Sequence, residues 1–223
     1  LIGLIIFLPI SEVFIQLFNT SESWPHLKKT VFSTYLINTI VLTIGTGLLS
    51  TLIGVFCAWV IACCEFPLKK FFEWALILPL AIPTYVSAYA YFDILELSNP
   101  ILIWVRENIN LEAMQSLNSF FVYFFTILVL SSVLYPYIYL LARASFLKQG
   151  NQLIEAGLSL GHNINEIFWK IALPMARPAV FAGLSLVIME TLNDYGAVKH
   201  FGITTFTSGI FRTWLGMGDM SGA

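Results

Sequence analysis

The sequence predicts an all-α membrane protein, a polytopic bundle of transmembrane helices, and three observations carry that prediction. Of its 223 residues, 58% are hydrophobic and 11% charged, where a soluble domain carries about 25% charged residues. The mean hydropathy is +0.82. The longest charge-poor runs approach or exceed the roughly 20 residues that cross a hydrocarbon core. A net charge of −2 supplies no basic field for nucleic acid.

Five spans are expected. The first, Leu1 to Phe18, has neither a basic lead-in nor a small-residue cleavage site, so it reads as the remainder of a helix rather than a signal peptide. The chain starts without methionine and stops at Gly222-Ala223 in mid-pattern, so it reads as truncated, with a sixth helix missing. On this view residues 1–34 form a first helix and an external loop, and residues 35–223 form the core. The second span, Tyr35 to Ala62, carries Gly45, Gly47, Ser50 and Gly54, small residues that permit close helix contact. Cys57, Cys63 and Cys64 have no disulfide or metal spacing and read as small apolar fillers.

The third span, Phe72 to Tyr91, contains Pro79 and Pro83, which remove two backbone donors from one helical face and predict a kink. That kink is either a gate on a translocation path or a packing solution satisfied by neighbouring helices. The fourth span is Phe120 to Ala142 and the fifth Ala179 to Val198. In the fifth, Glu190 and Asp194 stand at i and i+4, about 6 Å apart along one helical face. Intramembrane acids are candidates for function. The sharper reading is an outer vestibule for a cationic or metal-bearing solute; the plainer one sets Asp194 at the water interface and pairs Glu190 with Asn193 or another helix. Tyr35, Trp74, Tyr91 and Tyr123, near span ends, suit the water interfaces.

Basic residues set the orientation. Lys69 and Lys70 follow the second span, and Arg143, Lys148, Lys170 and Arg177 lie between the fourth and fifth, whereas Asp93 to Ser119 has Arg106 against four acids. The loop 143–177 is therefore expected on the cytoplasmic side. Lys28 and Lys29 fall on the opposite side, against the rule.

Within that loop, EAGLSLGHNINEIFWKIALP runs from Glu155 to Pro174. Gln152 to Leu160 is apolar on more than one face, so as a helix it needs two partners, one of them outside its own bundle. Small Ala156 and Gly157 would let such a helix lie deep in a partner's groove. Gly161 can take the left-handed conformation that closes a helix, and Asn163 with Glu166 has the spacing of a capping box that opens another. Proline lacks a donor, so this second helix is expected to stop near Pro174.

No GxxxxGK[ST], HExxH or GxSxG pattern occurs, and His26, His162 and His200 stand apart in sequence. Gly216, Gly218 and Gly222 miss dinucleotide spacing and read as loop glycines. The expectation is no enzyme, with no catalytic, cofactor-binding or metal-ligating residues. Any energy must come from a partner.

The spacing Glu155-Ala156-Gly157, Gly161, Ile171, Leu173, Pro174 resembles the EAA signature of the membrane subunits of binding-protein-dependent ABC importers, departing only in having Gly157 for alanine. The segments LPLAIPTYVSAYAY and TLNDYGAVKHFGITTFTSGIFRTWLGMGD resemble the iron(III)-type branch of those permeases. Together the similarity covers most of Tyr35 to Asp219. It implies a type I ABC importer permease fold in a bacterial plasma (inner) membrane. It also implies an ATPase dimer binding ATP beneath the loop, and a periplasmic or surface binding protein delivering ferric iron. A second permease unit, fused or separate, is implied as well. The seven signature residues would form the ATPase-coupling site, with Pro79, Pro83, Glu190 and Asp194 on the translocation path. Polyamine, thiamine and phosphonate importers share the signature. A channel or secondary transporter would need a pore-lining ring or an ionisable relay across several spans, and Glu190 is the single candidate. A membrane enzyme would need a catalytic cluster.

Overall fold

A computed structural model describes residues 7, 11–16, 18, 21 and 23–223. The first expected span, Leu1 to Phe18, therefore lies largely outside the described residues. The elements named here are α1 (Trp24–Thr30), α2 (Phe32–Cys63), α3 (Lys69–Ala75), α4 (Thr84–Tyr91), α5 (Asn99–Asn108), α6 (Leu111–Ser159), α7 (Ile164–Ile167), α8 (Leu173–Asn193), α9 (Gly196–His200) and α10 (Phe206–Phe211). No strand occurs among the described residues.

Three helices are long and apolar enough to cross a membrane: Phe32–Cys63, Leu111–Gln149 and Ile164–Asn193. They meet at Ile138, whose side chain is fully buried. A Cβ on Gly54 of α2 would lie 2.9 Å from the Tyr135 carbonyl oxygen and from the Ile138 Cβ. On the other side, a Cβ on Gly183 of α8 would lie 2.7 Å from the Ile138 Cα. Small residues thus let α2 and α8 press their backbones against α6, as close packing in a bilayer requires. Gly45 likewise makes room for the Ile127 side chain of α6, and Gly47 for the Leu184 side chain of α8. Around this point Val55, Ala58, Leu134, Tyr139, Ala142, Ala176 and Val187 form the core.

Several expected boundaries are corrected. The fourth span is the middle of a 49-residue helix, so the expected loop 143–177 is helical apart from a turn around residues 160–163. Charged Arg143 and Lys148 sit on the continuing helix and not in a loop. The fifth span begins at Ile164 and ends at Asn193; Val198 lies on the separate α9. The second helix of the loop does not stop at Pro174. A π turn over Phe168–Ala172, in which the Leu173 amide donates to the Phe168 carbonyl five residues back, carries the helix past Pro174 and Pro178. Such a turn relieves the clash of a proline ring with the preceding turn.

The third span, by contrast, breaks. Lys69–Ala81 and Thr84–Tyr91 meet at 93°. Ile82 is extended at φ −98°, ψ 119°, and Pro83 follows at φ −57°, ψ 140°.

Candidate functional site

The three long helices define two ends. At the elbow end are the C-terminus of α2, the α6–α7 turn and α3; at the cap end are the starts of α2 and α6 and the segment from Asn193 onward.

The elbow is fixed by local hydrogen bonds. The His162 amide donates to the Gly157 carbonyl at 3.1 Å and the Gly161 amide to the Leu158 carbonyl at 3.0 Å. Gly161 has φ 83°. This is a Schellman closure, which satisfies helix-end carbonyls and calls for glycine at the left-handed position. The next helix opens with the expected capping box: the Glu166 amide donates to Asn163 Oδ1 at 2.9 Å, and the Asn163 amide to Glu166 Oε2 at 3.3 Å. Lys170 Nζ reaches Glu166 Oε1 at 3.0 Å and His162 Nδ1 reaches Oε2 at 3.3 Å, so one carboxylate ties the turn to the second arm.

Gly157 is buried, but not for a partner's groove. A Cβ there would lie 2.7 Å from Ile167 Cδ1, so the absent side chain lets α6 close on α7 of the same chain. Glu155 and Ala156 are exposed on the outer face, while Ile171, Leu173 and Pro174 are half-buried along the second arm. The structure thus brings Gly157 and Gly161 together at the turn and spreads the other signature residues along its two arms. Around the turn, Leu158, Leu160, Ile164 and Trp169 are 47%, 79%, 56% and 67% exposed. These are four exposed large apolar side chains beside a charged turn, the composition of a contact with another protein. Trp169 lay unnoticed in the sequence, where its signal was one large aromatic on a short segment rich in polar residues.

Sequence reasoning also missed the tether between α3 and α6. Arg143 Nη2 and Glu73 Oε2 are 3.0 Å apart, and the Tyr139 hydroxyl donates to the Glu73 carbonyl at 3.3 Å. Glu73, a single acid in an apolar segment, was the available signal. It ties the broken span, with Pro79 and Pro83, to the long helix that carries the elbow.

At the cap end, Glu190 and Asp194 do not share a helical face. The helix stops at Asn193, and Asp194 is extended at ψ 114°. Asp194 is buried, and its Oδ1 accepts the Ala197 amide at 2.8 Å, holding the start of α9. Glu190 lies 3.5 Å from the Tyr137 hydroxyl. The cap is sewn to the bundle: Asn38 Nδ2 donates to the Thr204 carbonyl at 2.7 Å, Tyr123 Oη to Asn38 Oδ1 at 2.6 Å, and the Phe206 amide to Thr39 Oγ1 at 3.1 Å.

Residues 50–213 match the family model described as binding-protein-dependent transport system inner membrane component. An Fe(3+)-transport system permease protein of Haemophilus influenzae is 28% identical over 79% of this chain and 31% of its own length. A probable sulfate transport system permease protein of Chlorokybus atmophyticus is 27% identical over 73% of the chain and 56% of its own length. The sulfate transport system permease protein CysW of Escherichia coli is 25% identical over 87% of the chain and 65% of its own length. The chain thus spans between about a third and two thirds of these relatives. With the matched region running from the middle of α2 through the elbow to the cap, the chain belongs to the family of binding-protein-dependent transport system inner membrane components.

Proposed function

We propose that this chain is the membrane-spanning permease part of an ATP-driven importer and that its elbow is the seat of an ATP-hydrolysing partner. The exposed apolar face at Leu158, Leu160, Ile164 and Trp169, set around a turn fixed by Gly161 and the Asn163–Glu166 box, carries the reading. A rigid turn at the end of a 49-residue helix transmits motion along that helix. Closure of an ATPase pair against the elbow would swing α6, and α2 and α8 pressed onto it at Ile138 would follow. The bundle then alternates between openings on its two sides. Coupling is mechanical, and the hydrolysis belongs to the partner.

In this reading the elbow faces the cytoplasm of a bacterial cell, and the cap receives solute from a binding protein. A second permease unit completes the path. Glu155, Ala156, Gly157, Gly161, Ile171, Leu173 and Pro174 form the coupling site; Pro79, Pro83, Glu190 and Asp194 belong to the path or its supports. Ferric iron is the proposed solute, supported by the Haemophilus influenzae relative. Sulfate is the second reading, favoured by the relatives named for its transport.

The test places Gly161→Val in the full complex with its ATPase and binding protein. The expected outcome is loss of solute-stimulated ATP hydrolysis with normal membrane content. Normal stimulation would remove the coupling role. Vesicle uptake of radioactive ferric iron against radioactive sulfate then decides the solute. Labelling of Ser116→Cys but not Ser159→Cys by an impermeant reagent in intact cells is the expected topology.

A further inference from the structure

At the cap end an open cleft of about 500 Å³ has a lining that includes Lys199, Arg212, Tyr35, Tyr195, Thr204 and Ser208. Two features set it apart. Its lining holds two cations and no carboxylate, although acids such as Asp93, Glu107, Glu112, Asp194 and Asp219 populate this end of the chain. Its polar groups are also donors: an ammonium, a guanidinium, two phenols and hydroxyls.

None of these cations is neutralised within the described residues. Lys199 Nζ lies 5.1 Å from the centre of the Tyr195 ring, an arrangement that holds the ammonium in place without cancelling its charge. The Tyr195 ring in turn packs on Phe211 at 4.5 Å between centres, next to Arg212. Arg212 makes no ion pair with any described residue. The walls are fixed as well. Thr204 is held by Asn38, and Tyr35 is wedged against Gly209, where a Cβ would lie 2.5 Å from its ring. Lys199 and Arg212 are themselves exposed, so the two charges stand open to an arriving solute beside walls that are held in place.

We propose that this cavity binds oxyanion groups, and that the solute passing the cap does so as an anion: a sulfate-type oxyanion, or ferric iron carried inside an anionic carboxylate chelate. The proposal rests on the permease reading and narrows its solute. A bare ferric ion would meet two positive charges here, whereas an oxyanion satisfies the Lys199 and Arg212 donors together with a phenol. Asp194 is buried outside the lining, its Oδ1 accepting the Ala197 amide.

The test uses the full-length protein in nanodiscs of neutral phosphatidylcholine at constant ionic strength. Labelling of Lys199 by an impermeant amine reagent is followed by peptide mass spectrometry. Sodium sulfate or ferric citrate at about ten times its Kd is expected to slow labelling by about tenfold, while choline chloride leaves it unchanged. Arg212→Gln should abolish the protection and Arg212→Lys should retain much of it, which separates loss of charge from loss of fold. Unprotected labelling with both anions overturns the proposal. So does protection that appears only when phosphatidylglycerol is included, which would make the ligand a lipid headgroup. ATP-dependent uptake by the complete transporter reads the permease role separately. Protection without uptake of any solute would sink that role and leave the anion site standing, whereas wild-type anion uptake by a Lys199→Gln, Arg212→Gln double variant would overturn the solute assignment.

Discussion

Pro79 and Pro83 stand four residues apart, and so do Pro174 and Pro178, yet the chain turns through 93° at the first pair and remains one 30-residue helix through the second. Each pair removes the same donors. The residue before Pro83 is β-branched Ile82, and it takes the extended conformation that a following proline favours. Before Pro174, Ala172 and Leu173 keep helical angles of φ −66° and −65°, because the π turn moves the hydrogen bonds one residue further back. Packing selects between the outcomes. The second pair sits on a helix whose Ala172, Ala176, Gly183 and Val187 are buried against α6, whereas α3 and the turn at Leu78–Ala81 bury no residue fully. In this chain the pair at which the helix bends is the one whose preceding arm buries no residue, although Ser87 and Ala88 are buried beyond it. The continuous helix carries the second arm of the elbow, and the broken one is tied to α6 through Glu73, Arg143 and Tyr139.

The largest effect should come from removing the packing that keeps the second pair helical. Gly183→Leu would drive a side chain into the Ile138 backbone, only 2.7 Å from the position of its Cβ. Overpacking of this kind costs about 1–3 kcal/mol or more, and here the obstacle is backbone. A marked fall in the thermal midpoint of the detergent-solubilised protein is expected, with loss of the monodisperse peak in gel filtration. A wild-type midpoint would show that packing at Ile138 does not hold α8.

A smaller effect tests the prolines themselves. Pro178→Ala supplies a donor to a helix that is already continuous, and it should leave the fold unchanged or raise the midpoint, recovering part of the roughly 3 kcal/mol that an internal proline costs. Pro83→Ala should lower uptake instead, at normal protein content, by letting the break straighten. Reversal of these two outcomes would mean that the pairs play the opposite roles.

The same contrast explains what the sequence made legible. The elbow turn was readable because Gly161, Asn163 and Glu166 act within six residues, and cap chemistry is local. Close helix contact at Gly54 was readable because small residues have few other uses in a span. The halt expected at Pro174 failed, since the fate of a proline depends on packing from α6, which no local pattern contains. The shared face of Glu190 and Asp194 failed for a similar reason: Asp194 caps α9, and the helix ends one residue earlier. The Glu73–Arg143 pair was missed because its partners stand 70 positions apart, Glu73 inside the expected third span and Arg143 in an expected loop.

That pair gives the smallest and sharpest test. The broken span is held to α6 by Glu73–Arg143 and by the Tyr139 hydroxyl. Both charged side chains are about a quarter exposed, at 27% and 24%. An ion pair of this exposure is worth about 0.5–1 kcal/mol after solvent screening, too little to fix the fold and enough to bias two arrangements of similar energy. Arg143→Gln should therefore raise ATP hydrolysis without solute by about twofold to fivefold, the ratio to which that energy corresponds, and leave the thermal midpoint nearly unchanged. Glu73→Gln should do the same. The double variant should match either single one, since the two substitutions break one contact and would not add. Additive effects would show that Glu73 and Arg143 act on separate neighbours. An unchanged basal rate would show that the 93° break moves independently of the helix that reaches the elbow.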